Sequence, residues 1–127
     1  MAALTFLDTH VVAWLYSGFD ELLSSSALDA MDEATLRISP MVVLELEYLH
    51  EIGRLSLGGD AIATALAAER GIQRDPHPFG SVVREALTQT WTRDPFDRMI
   101  AAHAVAAGGS LVTKDERMLA NVTAAIW

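Results

Sequence analysis

The sequence predicts a three-layer α/β/α sandwich around a mainly parallel central sheet. Three observations carry this expectation. Short runs of strand length alternate with helix-length stretches along the whole chain. Ser39-Pro40 and Asp94-Pro95 are helix-start signals placed directly after strand or loop positions. The 127 residues, 51% hydrophobic and 20% charged, suit one core, so residues 1–127 are expected to form a single domain.

The elements follow in order. Residues 3–8 (ALTFLD) are an apolar run ending in an acid and predict a buried strand. Residues 10–17 predict a helix, and Ser24, Ser25 and Ser26 offer a cap for a second helix reaching about Glu33. Residues 35–39 (TLRIS) alternate like a strand, and the helix begun at Ser39-Pro40 is ended by Gly53. Residues 60–69 predict an alanine-rich helix closed by Gly71, followed by a short strand at 72–75 and a rigid Pro76-His77-Pro78 loop. Residues 81–91 predict a helix, and the helix opened by Asp94-Pro95 runs to Gly108-Gly109. A strand at 110–113, a short helix at 115–121 and a last strand at 123–127 complete the chain. In sheets of this kind, sites form at the carboxyl ends of the strands. No repeat, low-complexity stretch or linker interrupts the order.

Composition excludes several function classes. With no cysteine, the chain has no disulfide, no thiolate zinc site and no cysteine nucleophile. No apolar run nears the ~20 residues needed to cross a bilayer, so no membrane association is expected. The opening residues carry no basic segment, so no signal peptide is expected and a cytoplasmic location follows. The net charge of −8 argues against a nucleic-acid binder, because phosphate contacts come from Lys and Arg. That argument weakens if carboxylates are metal ligands. Four ligands taken from the count leave −4, which two divalent cations would cancel.

The positions of the acids therefore matter more than their number. Asp8 ends the first strand and Asp115 follows the strand at 110–113, so both can reach one edge of a parallel sheet. Taken singly, Asp8 also reads as an Asx-turn and Asp115 as a helix cap. Glu45 has Met41, Val42, Tyr48, Leu49 and Ile52 around it at helical spacing, which places a carboxylate on an inward face. Such a group is costly unless paired or metal-bound, and a boundary ion pair with an arginine is the alternative. Glu47, flanked by His50, Glu51 and Arg54, reads as a solvent-facing contrast. In Arg93-Asp94-Pro95-Phe96-Asp97-Arg98, Asp94 is an N-cap and Asp97 lies in the first turn, where an acid favours the helix start. Converging carboxylates repel unless a cation joins them, and hard cations such as Mg²⁺ or Mn²⁺ prefer oxygen ligands. His50-Glu51-Ile52-Gly53-Arg54 is not a zinc-binding H-E-x-x-H motif. Carboxylate-held divalent cations usually serve phosphoryl transfer.

Phe6-Leu7-Asp8-Thr9-His10, Glu45 within its helix, Arg93–Arg98 as R-D-P-F-D-R, and Val112-Thr113-Lys114-Asp115-Glu116 occur in the order and spacing of PIN-domain ribonucleases. The whole chain resembles that family, and within it the VapC-like toxins of bacterial type II toxin–antitoxin systems. The resemblance implies an Mg²⁺- or Mn²⁺-dependent endoribonuclease that hydrolyses single-stranded or loop regions of RNA. It implies that Asp8, Glu45, Asp97 and Asp115 hold the cation, with Thr9 and Thr113 supporting the site and Asp94 as an accessory acid. It further implies a homodimer and a partner antitoxin. His103 stands where many relatives carry Gln, and its neighbours Met99 and Ile100 suggest a satisfied core-edge side chain.

Arg54, Arg93, Arg98, Lys114 and Arg117 lie near the motifs and could meet RNA phosphates, or simply be solvated charge. Trp14, Tyr16 and Phe19 cluster in one amphipathic stretch that suits either a partner surface or core packing. Two other readings compete. A receiver-like signalling domain matches the length and Thr113-Lys114, but it needs paired acids after the first strand and an acid ending a middle strand, and Glu45 has no role in it. A PIN fold kept as a non-catalytic binding module is the other, against which stands the complete acidic set.

Overall fold

The computed structural model describes residues 2–127. Its five strands are β1 (Leu4–Leu7), β2 (Thr35–Ile38), β3 (Gln73–Arg74), β4 (Ser110–Val112) and β5 (Ala125–Ile126). Its α-helices are α1 (Thr9–Ser17), α2 (Ser25–Met31), α3 (Pro40–Glu51), α4 (Gly59–Arg70), α5 (Phe79–Ala86), α6 (Pro95–Ala106) and α7 (Glu116–Asn121). The sheet order is β3-β2-β1-β4-β5, and every neighbouring pair is parallel. The strands build outward from β1 to β3, then resume on the other side of β1 with β4. That reversal opens a crevice beyond the carboxyl ends of β1 and β4.

β1 is central because its side chains suit both layers: Phe6 and Leu7 are fully buried, and Thr5 donates its hydroxyl to the Ala30 carbonyl at 3.0 Å. The core joins Val11, Val12 and Leu15 of α1, Leu46 of α3, Leu66 of α4 and Ile100 of α6 around β1 and β4. α3 and α4 pack unusually closely, since a Cβ at Gly59 would stand 2.0 Å from the Val43 carbonyl oxygen. Glycine is therefore required there for backbone contact rather than for a turn.

The start signals at Pro40 and Pro95 and the stop at Gly71 all act as expected, with Ser39 and Asp94 as caps and Gly71 left-handed at φ +67°. Some boundaries differ. α1 begins at Thr9, because Asp8 is its N-cap. α2 stops at Met31, and Glu33 takes φ +57° in the turn to β2. α5 occupies Phe79–Ala86 rather than 81–91. There Thr88 turns its hydroxyl onto the Glu85 carbonyl at 2.7 Å, a local bond that competes with helix continuation. A 3-10 turn at Asp20–Leu22 lies between α1 and α2, where the sequence carries no signal for it.

Candidate active site

Five of the singled-out acids gather near the β1/β4 crevice. Asp8 leaves β1 and caps α1, its Oδ1 accepting the Thr9 N–H at 2.8 Å. Its Oδ2 accepts the Thr113 hydroxyl at 2.7 Å. Thr113, directly after β4, in turn accepts the Asp115 N–H at 3.0 Å. Asp115 caps α7 by accepting from Arg117 and Met118 at 2.8 and 3.0 Å. The Thr9 hydroxyl donates to Glu45 Oε1 at 2.5 Å, which brings the α3 carboxylate to the same point. One continuous set of hydrogen bonds therefore runs Glu45–Thr9–Asp8–Thr113–Asp115. Thr9 and Thr113 hold the acids in register.

Asp94 and Asp97 come from the start of α6, where Asp94 accepts the Asp97 N–H at 3.0 Å. The charges interact across these elements. Burial pushes the Asp97 carboxyl up to about 7, reinforced by Asp94, Asp115, Asp8 and Glu45. Burial also raises Asp8, against the opposing hydrogen bonds from Thr113 and Thr9, and Asp115 adds to the rise. Glu45 is raised by burial and by the charges of Asp8 and Asp94, which outweigh its bond from Thr9.

Among the described residues, no ion pair involves any of these acids, because the salt bridges lie at Arg37–Asp75, Arg70–Asp20, Arg74–Asp60 and His103–Asp75. The boundary ion pair considered for Glu45 is thus absent among them, and a hydroxyl bond stands in its place. A set of carboxylate oxygens without ion-pair partners fits a hard divalent cation. Among the described residues, no three His, Asp or Glu side chains close into a ready-made ligand set. Asp8, Glu45 and Asp115 each spend an oxygen on a local donor, and mutual repulsion opposes closer approach.

The basic residues behave differently from one another. Arg98 donates to the Ala86 carbonyl at 2.8 Å, and Arg93 to that of Thr90 at 3.3 Å. Arg117 donates to the Trp91 carbonyl and lies over that ring. Lys114 instead lines a recess of about 270 Å³ together with Asp8, His10, Trp14 and Asp115. His10 is a site-lining residue that the sequence reading passed over, although it sits in the Phe6–His10 motif.

Two further features escaped sequence reasoning. Glu47 does not face solvent: it is half-buried and accepts the Gly59 N–H at 3.0 Å, which ties α4 to α3. His103 is a buried, satisfied side chain, as its neighbours suggested, and its partner is Asp75 at 2.9 Å. Of the aromatic cluster, Trp14 and Tyr16 pack against the core, whereas Phe19 is exposed.

Open parallel α/β sheets place their sites at the topological switch point, beyond the carboxyl ends of the strands, where these carboxylates lie. The PIN domain family model matches residues 5–124, and the chain belongs to that family. It is 32% identical over 114 residues to Ribonuclease VapC22 of Mycobacterium tuberculosis, covering 88% of this chain and 87% of that protein. Its fold is similar to that in the structure of VapBC-1 from nontypeable Haemophilus influenzae, with a TM-score of 0.65 at 17% identity, covering 98% of this chain and 96% of the other. It is also similar to VapBC2 from Rickettsia felis bound to a DNA fragment from their promoter, with a TM-score of 0.59 at 20% identity and coverages of 97% and 96%.

Proposed function

We propose that the protein is a single-domain endoribonuclease that cleaves single-stranded or loop regions of RNA with Mg²⁺ or Mn²⁺, as the toxin of a toxin–antitoxin pair. The observation that carries this reading is the gathering of Asp8, Glu45, Asp97 and Asp115 at the β1/β4 crevice, three of them joined through Thr9 and Thr113, with no ion pair to any of them among the described residues. The similarity to Ribonuclease VapC22 supports the choice of RNA.

Asp8, Glu45, Asp97 and Asp115 would hold the cation, all through carboxylate oxygens. Once bound, a divalent cation of this kind activates water, orients the phosphate and offsets charge on the leaving oxygen. Thr9 and Thr113 fix the carboxylates of Glu45 and Asp8 so that little ordering is left to occur on substrate binding. Asp94 holds the start of α6 and thereby aims Asp97. A bound cation would favour the ionised form of Asp97, whose carboxyl the surrounding acids and burial raise.

Among the described residues, no helix is long and apolar enough to cross a membrane. A cytoplasmic location and an antitoxin partner belong to the same proposal, the latter supported by the VapBC structures. So does a homodimer, supported by the solvent-facing apolar side chains Leu44 and Phe79, the second 71% exposed.

Purified protein is expected to cut single-stranded RNA with Mg²⁺ or Mn²⁺, to stop in EDTA, and to lose cleavage in Asp97→Asn. Cleavage that persists in chelator would overturn the cation-dependent reading.

A further inference from the structure

The recess beside the acid cluster has a second wall that the carboxylates do not explain. His10 and Trp14 lie one turn apart on α1, with ring centroids 6.4 Å apart. Trp14 lies 6.0 Å from the ring of Trp127, beyond β5, and the two planes are tilted by 55°. Lys114, just after β4, places its ammonium 5.8 Å from the Trp127 centroid. His10, Trp14 and Lys114 thus line a recess together with Asp8 and Asp115, and Trp127 packs on Trp14 and under Lys114 without lining it.

Lys114 is the only lysine in a chain of net charge −8. Among the described residues it has no ion pair, and its side chain is exposed. A polyanion approaching a cluster of carboxylates meets repulsion, and this cation stands where it would be offset. Flat rings beside a cation match the two faces of a nucleotide. The base has a π-face for stacking whatever its identity, and the phosphate takes a point charge.

We propose that the recess walled by His10, Trp14 and Lys114 is a nucleotide subsite that binds the single-stranded RNA residue next to the scissile bond, the rings receiving the base and Lys114 its phosphate. This rests on the ribonuclease reading for its substrate, but its test reads binding alone.

The probe is a fluorescein-labelled ten-nucleotide RNA of mixed sequence, titrated by anisotropy in Mg²⁺ against Asp97→Asn protein, which binds without turnover. Adding Lys114→Gln is expected to weaken binding several-fold and to flatten the log K against log salt slope by about 0.7, the value for one lost phosphate contact on a single strand. Lys114→Arg is expected to restore both. Trp14→Leu is expected to weaken binding by about 5-fold or more with the slope unchanged. His10→Ala is the companion variant, because His10 is exposed, whereas Trp14 and Trp127 both pack on the core and their loss risks the fold.

Unchanged affinity and slope in Lys114→Gln with unchanged affinity in His10→Ala would overturn the subsite, and a wall reserved for a protein partner would give that result. Cleavage by the unmutated protein, measured in parallel, separates the two readings. Cutting with unaltered binding in the variants leaves the ribonuclease and removes the subsite. Binding that obeys these dependences without cutting does the reverse.

Discussion

In metal-free protein the acid cluster makes Asp97 a source of instability. Its carboxyl is raised from 3.8 to about 7, so between these values the folded state holds a proton that the unfolded chain has released. The folded state therefore binds more protons, and stability falls as pH rises through that window. Fully converted, the rise would cost roughly 4 kcal/mol. Asp97 is half-buried and screened by water, which reduces the cost to about 1–2 kcal/mol. Asp97→Asn removes it. The same change forfeits the favourable interaction of an ionised first-turn acid with the helix start, worth ~0.3–1 kcal/mol. The net expectation at pH 8 in EDTA is a variant more stable by roughly 1 kcal/mol, or about 4 °C in Tm for a chain of this size. Below pH 4 the two proteins should melt together. Thermal melts by circular dichroism at both pH values give the comparison, and Mg²⁺ provides a second axis. At ten times its Kd the cation should stabilise wild type by ~1.4 kcal/mol and the variant by much less. A variant less stable than wild type at pH 8 in EDTA would refute the account of crowded acids.

Other substitutions test separate parts of the structure. Glu45→Gln keeps an acceptor for the Thr9 hydroxyl and should preserve the melt while abolishing RNA cleavage; a lowered Tm with normal cleavage would make Glu45 structural. Gly59→Ala drives a methyl group into the Val43 carbonyl and should cost about 1–3 kcal/mol by denaturant titration. His103→Ala strips Asp75 of its buried partner and should cost about 2–3 kcal/mol in urea melts. Burial works against ionised Asp75, yet the His103 bond, the His77 N–H and Arg37 hold its carboxyl below the usual value. Its stabilisation is therefore present above pH ~4 and is lost as pH falls through the lowered value, a loss that His103→Ala should blunt in acid titration.

Local chemistry explains which features could be read from the chain. Ser39-Pro40, Asp94-Pro95 and Gly71 act within one turn of themselves, so their elements begin or end as expected. The meeting of Asp8 with Asp115 was readable because strands alternating with helices put both at one sheet edge. Asp8 as the cap of α1 was also within reach, since an acid directly precedes Thr9 and the apolar pair Val11-Val12, but the strand reading absorbed it. Glu47 was misread because its partner, the Gly59 N–H, arrives from another helix whose close approach has no local signal. Asp75 as the partner of His103 is hidden for the same reason: 28 positions separate them. α5 ends early through a hydroxyl that periodicity does not weigh.

The bond between Asp8 and Thr113 spans 105 residues of chain. β1 gains β2 as a neighbour early in synthesis, but its other edge stays open until β4 has been made. Two of the four carboxylates, Asp97 and Asp115, also lie in the last third of the chain. A nascent polypeptide emerging N-terminus first therefore has no assembled acid cluster until β4 and Asp115 have been made. Loop closure over such a distance comes late in folding. The carboxylates at the edge of β1 therefore stay without their partners from β4 and α7 until both sides of the sheet have closed.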